Sequence, residues 1–395
     1  GTQIWSSPLQ PAALVNLVTY PRLQLVVTVD ERGLIKVWKA EDGCEWASFS
    51  LPTYSSALEA CDILEGPLLL AACAEGALYT LTVPPLQLLS RVSVFPSNPT
   101  SLLCSPDRQW VFASTQNSDL GPKVFHTLSL LCPSEDEPPV YTTLPIELTS
   151  RACWAPAEAA RLTVMHRNDN GMQLVVTTYE LEAKKTRNRV DILDTMMPPQ
   201  LMKSHGSQVI LLVSGSELVL FTVHGLQLAA FQDHQRPITS MWVGQTRVIT
   251  SSFDLSLRVY LWSKDNKLPV LRSCYHLLVN LQPVPSLRSG FTHVESDSMS
   301  IVGVEARNIG TSILRYVCQP CTATPCTLMV TVSQLPALPP PPPSALVSTK
   351  AACSATLRSW QEAPVLRMET PLLSVSRIRV PELVTSADLE AYDQR

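Results

Sequence analysis

An all-β ring of repeated sheets, a β-propeller, is the fold class that three features of the sequence predict. The first is Leu25 to Trp38, where Leu25, Val27 and Val29 alternate with Val26 and Thr28 before the polar turn Asp30-Glu31-Arg32-Gly33. The apolar pattern then resumes through Ile35, Val37 and Trp38, so the stretch reads as two short strands joined by a turn whose glycine tolerates positive φ. The second is the return of that hairpin at Leu68 to Leu81 around Glu75-Gly76, at Val209 to Phe221 around Gly215-Ser216, and at Arg247 to Tyr260 around Asp254. The third is the apolar strand material before each hairpin, at Leu14 to Val18, Leu58 to Ile63 and Ile238 to Val243. Together these give about four short strands per unit and a period of about 40–45 residues. One such unit cannot bury its apolar faces alone, whereas a ring of them can.

Taken in order, Gly1 to Trp5 reads as the end of one unit handing over to the next, so the ring is expected to be seven-bladed but N-terminally incomplete, without the first strands that would close it. Leu14 to Trp38 and the polar link Lys39 to Gly43 come next, and Cys44 to Leu51 is expected to be the outer strand of the following unit. Leu58 to Val83 forms the second unit, ended by Pro84-Pro85, because proline interrupts sheet pairing. Leu86 to Phe95 begins a third, continued by Leu102 to Cys104, Trp110 to Ser114 and Lys123 to Leu131, with Pro133 to Pro139 as a surface link. Cys153-Trp154-Ala155-Pro156 repeats Leu103-Cys104-Ser105-Pro106 in register, ahead of Arg161 to Met165, the polar turn His166 to Gly171 and Gln173 to Leu181. Gln208 to Val223 belongs to the fifth unit, Phe231 to Trp262 to the sixth, and Ser298 to Val304 with Ser312 to Val317 to a weaker seventh. Two domains result: residues 1–332 as the propeller, and 333–395 as a tail whose Pro339 to Pro343 run favours extended polyproline or disorder.

Composition narrows the function. The chain has 395 residues, 45% of them hydrophobic, which is enough for a large core. Its formal charge of −4, from 30 basic and 34 acidic residues, gives no electrostatic footprint for nucleic acid. Lys184-Lys185 and Arg187 to Arg189 read as a solvated turn. Apolar runs are too short to span a membrane, and no basic-then-apolar leader opens the sequence. Eleven scattered cysteines point to a reducing, cytoplasmic or nuclear compartment, with Cys61, Cys73, Cys104, Cys153 and Cys274 as small buried side chains. Cys318, Cys321 and Cys326 lie close together and Cys318 to Cys321 has the spacing of a redox or zinc pair, but no second pair or nearby histidine completes four ligands, so free thiols are expected, with neither metal nor cofactor.

No nucleophile elbow, phosphate loop, metalloprotease helix or dinucleotide fingerprint occurs. Val213-Ser214-Gly215-Ser216 fits a strand turn. The repeated material is scaffold, so binding is expected in the loops on its rims. The expected face is the rim carrying the turns between inner and neighbouring strands, where Arg32, Glu75, Arg161, Arg258 and Arg247 are charged residues near strand ends that solvated turns explain equally well. Partner-binding residues are otherwise unassigned.

Ile35-Lys36-Val37-Trp38, His234, Asp254, Arg258, Val259 and Tyr260 resemble WD repeats. That resemblance implies structural roles for Trp38, His234, Asp254 and Tyr260: the histidine and turn aspartate belong to a hydrogen-bond network, and Tyr260 stands where a tryptophan would. Arg32, Glu75 and Gly215 occupy the aspartate's place in other units, so closure is expected to rest more on apolar packing. The ordered series Gly1 to Pro8, Asn16 to Thr19, Ile35 to Trp38, Cys104 to Asp107, Trp110 to Ala113, Val124-Phe125, Phe231 to Gln235 and Leu271 to His276 is similar to the F-box and WD-repeat proteins. The resemblance implies the substrate-recognition subunit of a Skp-cullin-F-box ubiquitin ligase. The propeller would then bind target proteins, and a Skp adaptor and cullin would join only through an upstream F-box. An interaction scaffold without ligase activity is the alternative.

Overall fold

In the computed structural model, the described residues are 2–116, 118–131, 138–156, 160–167, 173–181, 185–191, 198–263, 269–278, 290–297, 300–308 and 311–318. The chain begins with β1 (Thr2–Ser6), then builds the first sheet from β2 (Leu14–Tyr20), β3 (Leu25–Asp30), β4 (Leu34–Lys39) and β5 (Glu45–Ser50). The second holds β6 (Ser55–Ile63), β7 (Gly66–Cys73), β8 (Ala77–Thr82) and β9 (Leu88–Ser93). The third holds β10 (Ser101–Cys104), β11 (Trp110–Ser114), β12 (Lys123–His126) and β13 (Tyr141–Thr143); the fourth β14 (Thr149–Trp154), β15 (Arg161–Arg167), β16 (Leu174–Glu180) and β17 (Lys185–Asp191). β18 (Leu201–His205), β19 (Val209–Ser214), β20 (Glu217–Thr222) and β21 (Gln227–Phe231) make the fifth; β22 (Ile238–Val243), β23 (Arg247–Ser252), β24 (Ser256–Ser263) and β25 (Val270–Leu278) the sixth. The seventh orders β26 (Gly290–Ser296), β27 (Ser300–Asn308) and β28 (Thr311–Cys318), and its outermost strand is β1.

That last pairing corrects the expectation of a ring lacking strands. β1 runs antiparallel to β28, with Thr2 opposite Cys318 and Ser6 opposite Arg315. The link continues beyond the strand: Ser7 N–H donates to the Leu314 carbonyl oxygen at 2.9 Å, and Leu14 N–H to Ser312 Oγ at 3.1 Å. The inner strands β2, β6, β10, β14, β18, β22 and β26 each adjoin the next, β26 meeting β2, so the seven-bladed ring is continuous.

The second and third strands alternate their side chains between two neighbouring sheets, so both of their faces are apolar, whereas the outer strands are largely exposed. In β3, all six residues are buried. Val27 and Val29 pack towards Leu58, Leu69 and Ala71 of the second sheet, while Val26 packs with Trp5, Leu17, Trp38, Val302 and Val304 at the junction with the seventh. The same alternation builds the layers between the second and third sheets, third and fourth, fourth and fifth, and fifth and sixth. A period of two therefore appears as a nearly continuous apolar run.

Two strand assignments differ from the expectation for a shared reason. Glu45–Ser50 and Leu88–Ser93 pair with β4 and β8 and complete the preceding sheets, not the following ones. The sequence repeat is offset by one strand from the structural sheet. Lys185 and Arg187 to Arg189, expected as a solvated turn, lie on the outer strand β17, which pairs with β16. By contrast, β10 and β14 end at the two Pro-containing motifs as expected. Ser105 N–H donates to the Trp110 carbonyl and Ala155 N–H to that of Arg161, while Arg108 and Ala160 both take positive φ.

The turn glycines show why the hairpin recurs. The carbonyl oxygens of Gly33, Gly76 and Gly215 accept the N–H of Leu51, Val94 and Ile238, at 2.9, 2.9 and 2.8 Å, fastening the first two turns to chain leaving an outer strand and the third to the start of β22 in the next sheet. At Gly76, φ is +78° and a Cβ would lie 1.7 Å from the Phe95 carbonyl oxygen, so no other residue fits without displacing that connection. The tail at 333–395, the link Pro133 to Pro139 over 132–137, Gly171 and the side chain of Cys274 lie outside the described residues, as do Cys321 and Cys326.

Candidate functional site

The strand directions put two sets of connections at opposite ends of the ring. Turns between second and third strands share one rim with the links from outer to next inner strands. Turns between inner and second strands share the other with the links from third to outer strands. The five charged candidates divide between them. Arg32 is exposed in the β3–β4 turn, and Glu75 in the β7–β8 turn accepts hydrogen bonds from Arg91 at 2.8 Å and Tyr79 at 3.1 Å. Arg161 and Arg247 begin β15 and β23 at the opposite rim, both buried. Arg161 faces Glu180 at 3.3 Å, and Arg247 donates to Ser296 Oγ at 2.9 Å and to the Asp297 carbonyl oxygen at 2.6 Å. Arg258 lies on β24, half-buried. These five residues do not converge on one binding face.

His234 and Asp254 sit at the first rim, while Trp38 and Tyr260 lie along the third strands β4 and β24. His234 Nδ1 lies 2.8 Å from Asp254 Oδ2, and His234 Nε2 lies 2.8 Å from Thr250 Oγ1. Asp254 also accepts the Ser256 hydroxyl at 2.6 Å, Ser256 N–H at 3.0 Å and Gln235 N–H at 3.0 Å. Burial alone would raise the Asp254 carboxyl, but the hydrogen bonds from His234 and Ser256 hold it well below the usual carboxylate range. Tyr260 is fully buried against Phe231, its ring centroid 5.1 Å away, and burial pushes its hydroxyl proton affinity up.

The first sheet keeps half of that network. Trp38 Nε1 donates to Thr28 Oγ1 at 2.9 Å, with both residues buried. Arg32 does stand at the turn-aspartate position, but Asp30, two residues earlier, takes over the work. Its Oδ1 accepts the N–H groups of Arg32 and Leu34, each at 2.9 Å. Asp30 was legible as an Asx-turn residue at the end of an apolar strand, although the repeat register pointed past it.

A second charged group occupies the centre. Glu59 on β6, Lys203 on β18 and His293 with Glu295 on β26 belong to inner strands of the second, fifth and seventh sheets. These inner strands line the centre of the ring, and the Lys203 and Glu59 charges both act on the Glu295 carboxyl. Burial raises Glu295 to about 7, against the pull of Lys203, and lowers His293 to about 4. The Glu59 carboxyl is raised by the same cause. Nothing in the sequence marked these residues, because their strands lie far apart along the chain. Among the described residues, no group of three or more His, Cys, Asp or Glu is placed to hold a metal, and no helix is long and apolar enough to cross a membrane.

The channel predicts a pH dependence. Folding raises Glu295 from 4.5 to about 7, so the folded state binds that proton more tightly. The stability this contributes is fully present below about pH 4.5 and is lost as pH rises towards 7, by on the order of 2–3 kcal/mol. His293, lowered from 6.5, has the opposite sign: its contribution is present above 6.5 and lost as pH falls towards 4. The two slopes offset each other between them. Glu295→Gln is expected to leave stability at pH 5 nearly unchanged and to raise it at pH 8, read by urea unfolding; an equal change at both pH values would contradict this.

Exposed apolar side chains gather at the second rim. Leu23 and Leu64 lie in the turns after β2 and β6, Leu64 fully exposed, and Leu128 follows β12. Trp46, Leu88, Leu89, Val140 and Tyr141 stand at the same end of the outer strands β5, β9 and β13, all exposed. They span three consecutive sheets, and Leu226 and Leu261 are exposed at the same rim in the fifth and sixth. On the first rim, Leu9, Tyr54 and Leu120 are exposed but separated.

No protein-family profile matches the chain. Over 287 residues it is 37% identical to F-box/WD repeat-containing protein 12 of Homo sapiens, a match covering 70% of this chain and 62% of that protein. Over 309 residues it is 30% identical to F-box/WD repeat-containing protein 15 of Mus musculus, covering 75% and 65% respectively. The chain is thus homologous to F-box/WD-repeat proteins and spans just under two thirds of the length of each of these relatives.

Proposed function

We propose that this chain is a protein-interaction module whose propeller holds a protein partner on the rim carrying the turns between inner and second strands. The observation that supports it is the apolar run from Leu23 through Leu64, Leu88 and Leu89 to Tyr141 across the first three sheets. Contiguous exposed apolar surface marks interaction sites, and aromatic anchors such as Trp46 and Tyr141 supply much of the binding energy where they occur. Lys39 lies 5.1 Å from the centroid of the Trp46 ring and Lys123 4.8 Å from that of Tyr141, which leaves a cationic fringe beside each anchor.

The test is affinity capture from a lysate with partners identified by mass spectrometry, comparing the native chain with Leu64→Asp/Leu88→Asp and with Leu9→Asp/Tyr54→Ala. The first pair is expected to lower recovery of the partner roughly tenfold or more, and the second to leave it unchanged. Equal recovery by all three, with each variant folded, would overturn the assignment of this rim.

A more specific reading draws on the homology. Within the F-box and WD-repeat family, the ordered motifs resemble the twelfth member and its mammalian relatives. On that reading the propeller is the substrate-recognition arm of a Skp-cullin-F-box ubiquitin ligase in a reducing cytoplasmic or nuclear compartment. Its partner is then a protein marked for ubiquitination, and an F-box attached to the propeller docks on the Skp adaptor. Co-purification of the Skp adaptor with the full-length product tests this. Its absence, where another F-box protein retains the adaptor, would leave the interaction module without ligase activity.

A further inference from the structure

Two thiols far apart in the sequence meet at the boundary between the second and third sheets. β6 and β10 lie side by side, and hydrogen bonds at two levels fix their alignment. Ser56 Oγ donates to the Thr100 carbonyl oxygen at 2.8 Å and accepts Thr100 N–H at 3.2 Å. Farther along, Cys104 N–H donates to Glu59 Oε2 at 3.4 Å. These two levels set Cys104 beside Glu59 and Ala60, with Cys61 the next residue along β6.

Both sulfurs turn into the same apolar layer, among Ala57, Ile63, Leu102 and Leu131. Cys61 is fully buried and Cys104 half-buried, and both are free thiols. Each thiol biases the other: Cys104 lowers the proton affinity of Cys61, and Cys61 together with burial pushes that of Cys104 well up. The Arg108 charge favours the thiolate at either position. The other three cysteines whose side chains are described lack this arrangement. Cys44 is exposed, Cys73 is directed to Glu75 and the Ala77 carbonyl, and Cys153 is buried between the fourth and fifth sheets with its thiol raised to about 12.

We propose that Cys61 and Cys104 form a reversible oxidation site that reacts with a small hydroperoxide and closes a disulfide between the second and third sheets. In the first step a thiolate of the pair attacks the peroxide oxygen, an S–O bond forms, the O–O bond breaks, and the departing alkoxide or hydroxide takes up a proton. In the second, the other sulfur attacks the resulting sulfenic acid, an S–S bond forms, the S–O bond breaks, and hydroxide leaves as water with the remaining thiol proton. Two thiols and one hydroperoxide yield one disulfide, one alcohol or water from the peroxide, and one water. The two electrons given up by the sulfurs reduce the O–O bond. Cys104 is only partly buried, which leaves a path to the pair for an oxidant of this size.

The experiment uses the full chain, treated natively with hydrogen peroxide, quenched with an alkylating agent, and mapped by peptide mass spectrometry without reduction. The expected result is a Cys61–Cys104 linked peptide, a loss of two free thiols on denaturing titration, and return of both with dithiothreitol. The Cys44→Ser variant, which removes the exposed thiol, is expected to behave identically. Cys61 and Cys104 both remaining alkylatable, a link to some other cysteine in their place, or irreversible oxidation of either would overturn the proposal.

Discussion

Replacing Trp5 with alanine is expected to destabilise the ring by about 3–5 kcal/mol, the range for removing a large buried aromatic from a packed layer. Trp5 is 8% exposed and packs with Leu14, Leu17, Val26 and Trp38 of the first sheet and with Val302, Val304 and Leu314 of the seventh. Its indole N–H also donates to the Ala40 carbonyl oxygen at 2.6 Å. A single side chain on β1 therefore touches both sides of the junction where the chain closes on itself. Gly43 has left room for it, since a Cβ there would lie 2.6 Å from the indole ring. Urea unfolding of Trp5→Ala is expected to show a lower midpoint together with earlier exposure of the seventh sheet, as β28 loses its outer partner. A change within about 0.5 kcal/mol would mean that closure does not depend on this strand.

The second large effect belongs to Asp254. Asp254→Ala is expected to cost about 3 kcal/mol, because it strands the buried His234 ring and leaves the N–H groups of Gln235 and Ser256 without their acceptor. The folded carboxyl is held below its usual range, so the stabilisation it gives is present above the unfolded value of 3.8 and is lost as pH falls below it. The acid limb of a stability-against-pH curve is therefore expected to flatten in the variant. An unchanged acid limb would assign the network's stability to packing around Tyr260 instead of the carboxylate.

Leu25 to Trp38 was readable because its information is local: alternating β-branched residues, a polar turn, and a glycine that only a tight turn requires. The recurrence of that pattern was enough to reach a seven-bladed ring. Where one sheet ends and the next begins was not readable, because nothing in an outer strand such as β5 or β9 marks whether it pairs with the strand before it or the one after. β1 was missed as a closing strand for a similar reason. Thr2–Ser6 carries no label of its partner β28, which lies at the far end of the ring. His234 and Asp254 could be found as a turn and a loop residue of one unit, whereas Glu59, Lys203 and Glu295 could not, since a channel gathers residues that no local pattern connects. The apolar rim was hidden in the same way: Leu64, Leu88 and Tyr141 look like ordinary strand and turn residues until the three sheets are placed side by side.

Native-state hydrogen exchange of β28 tests the closed ring most directly, since every further assignment of rim, channel and sheet boundary depends on it. In the intact chain, the Val317 and Arg315 region faces Gln3 and Ser6, and the β28 amides directed towards β1 are expected to exchange only with global unfolding. In a chain from which residues 1–6 have been removed, those amides are expected to exchange rapidly while the amides paired with β27 stay protected. Rapid exchange of the same β28 amides in the intact chain would contradict closure by Thr2–Ser6.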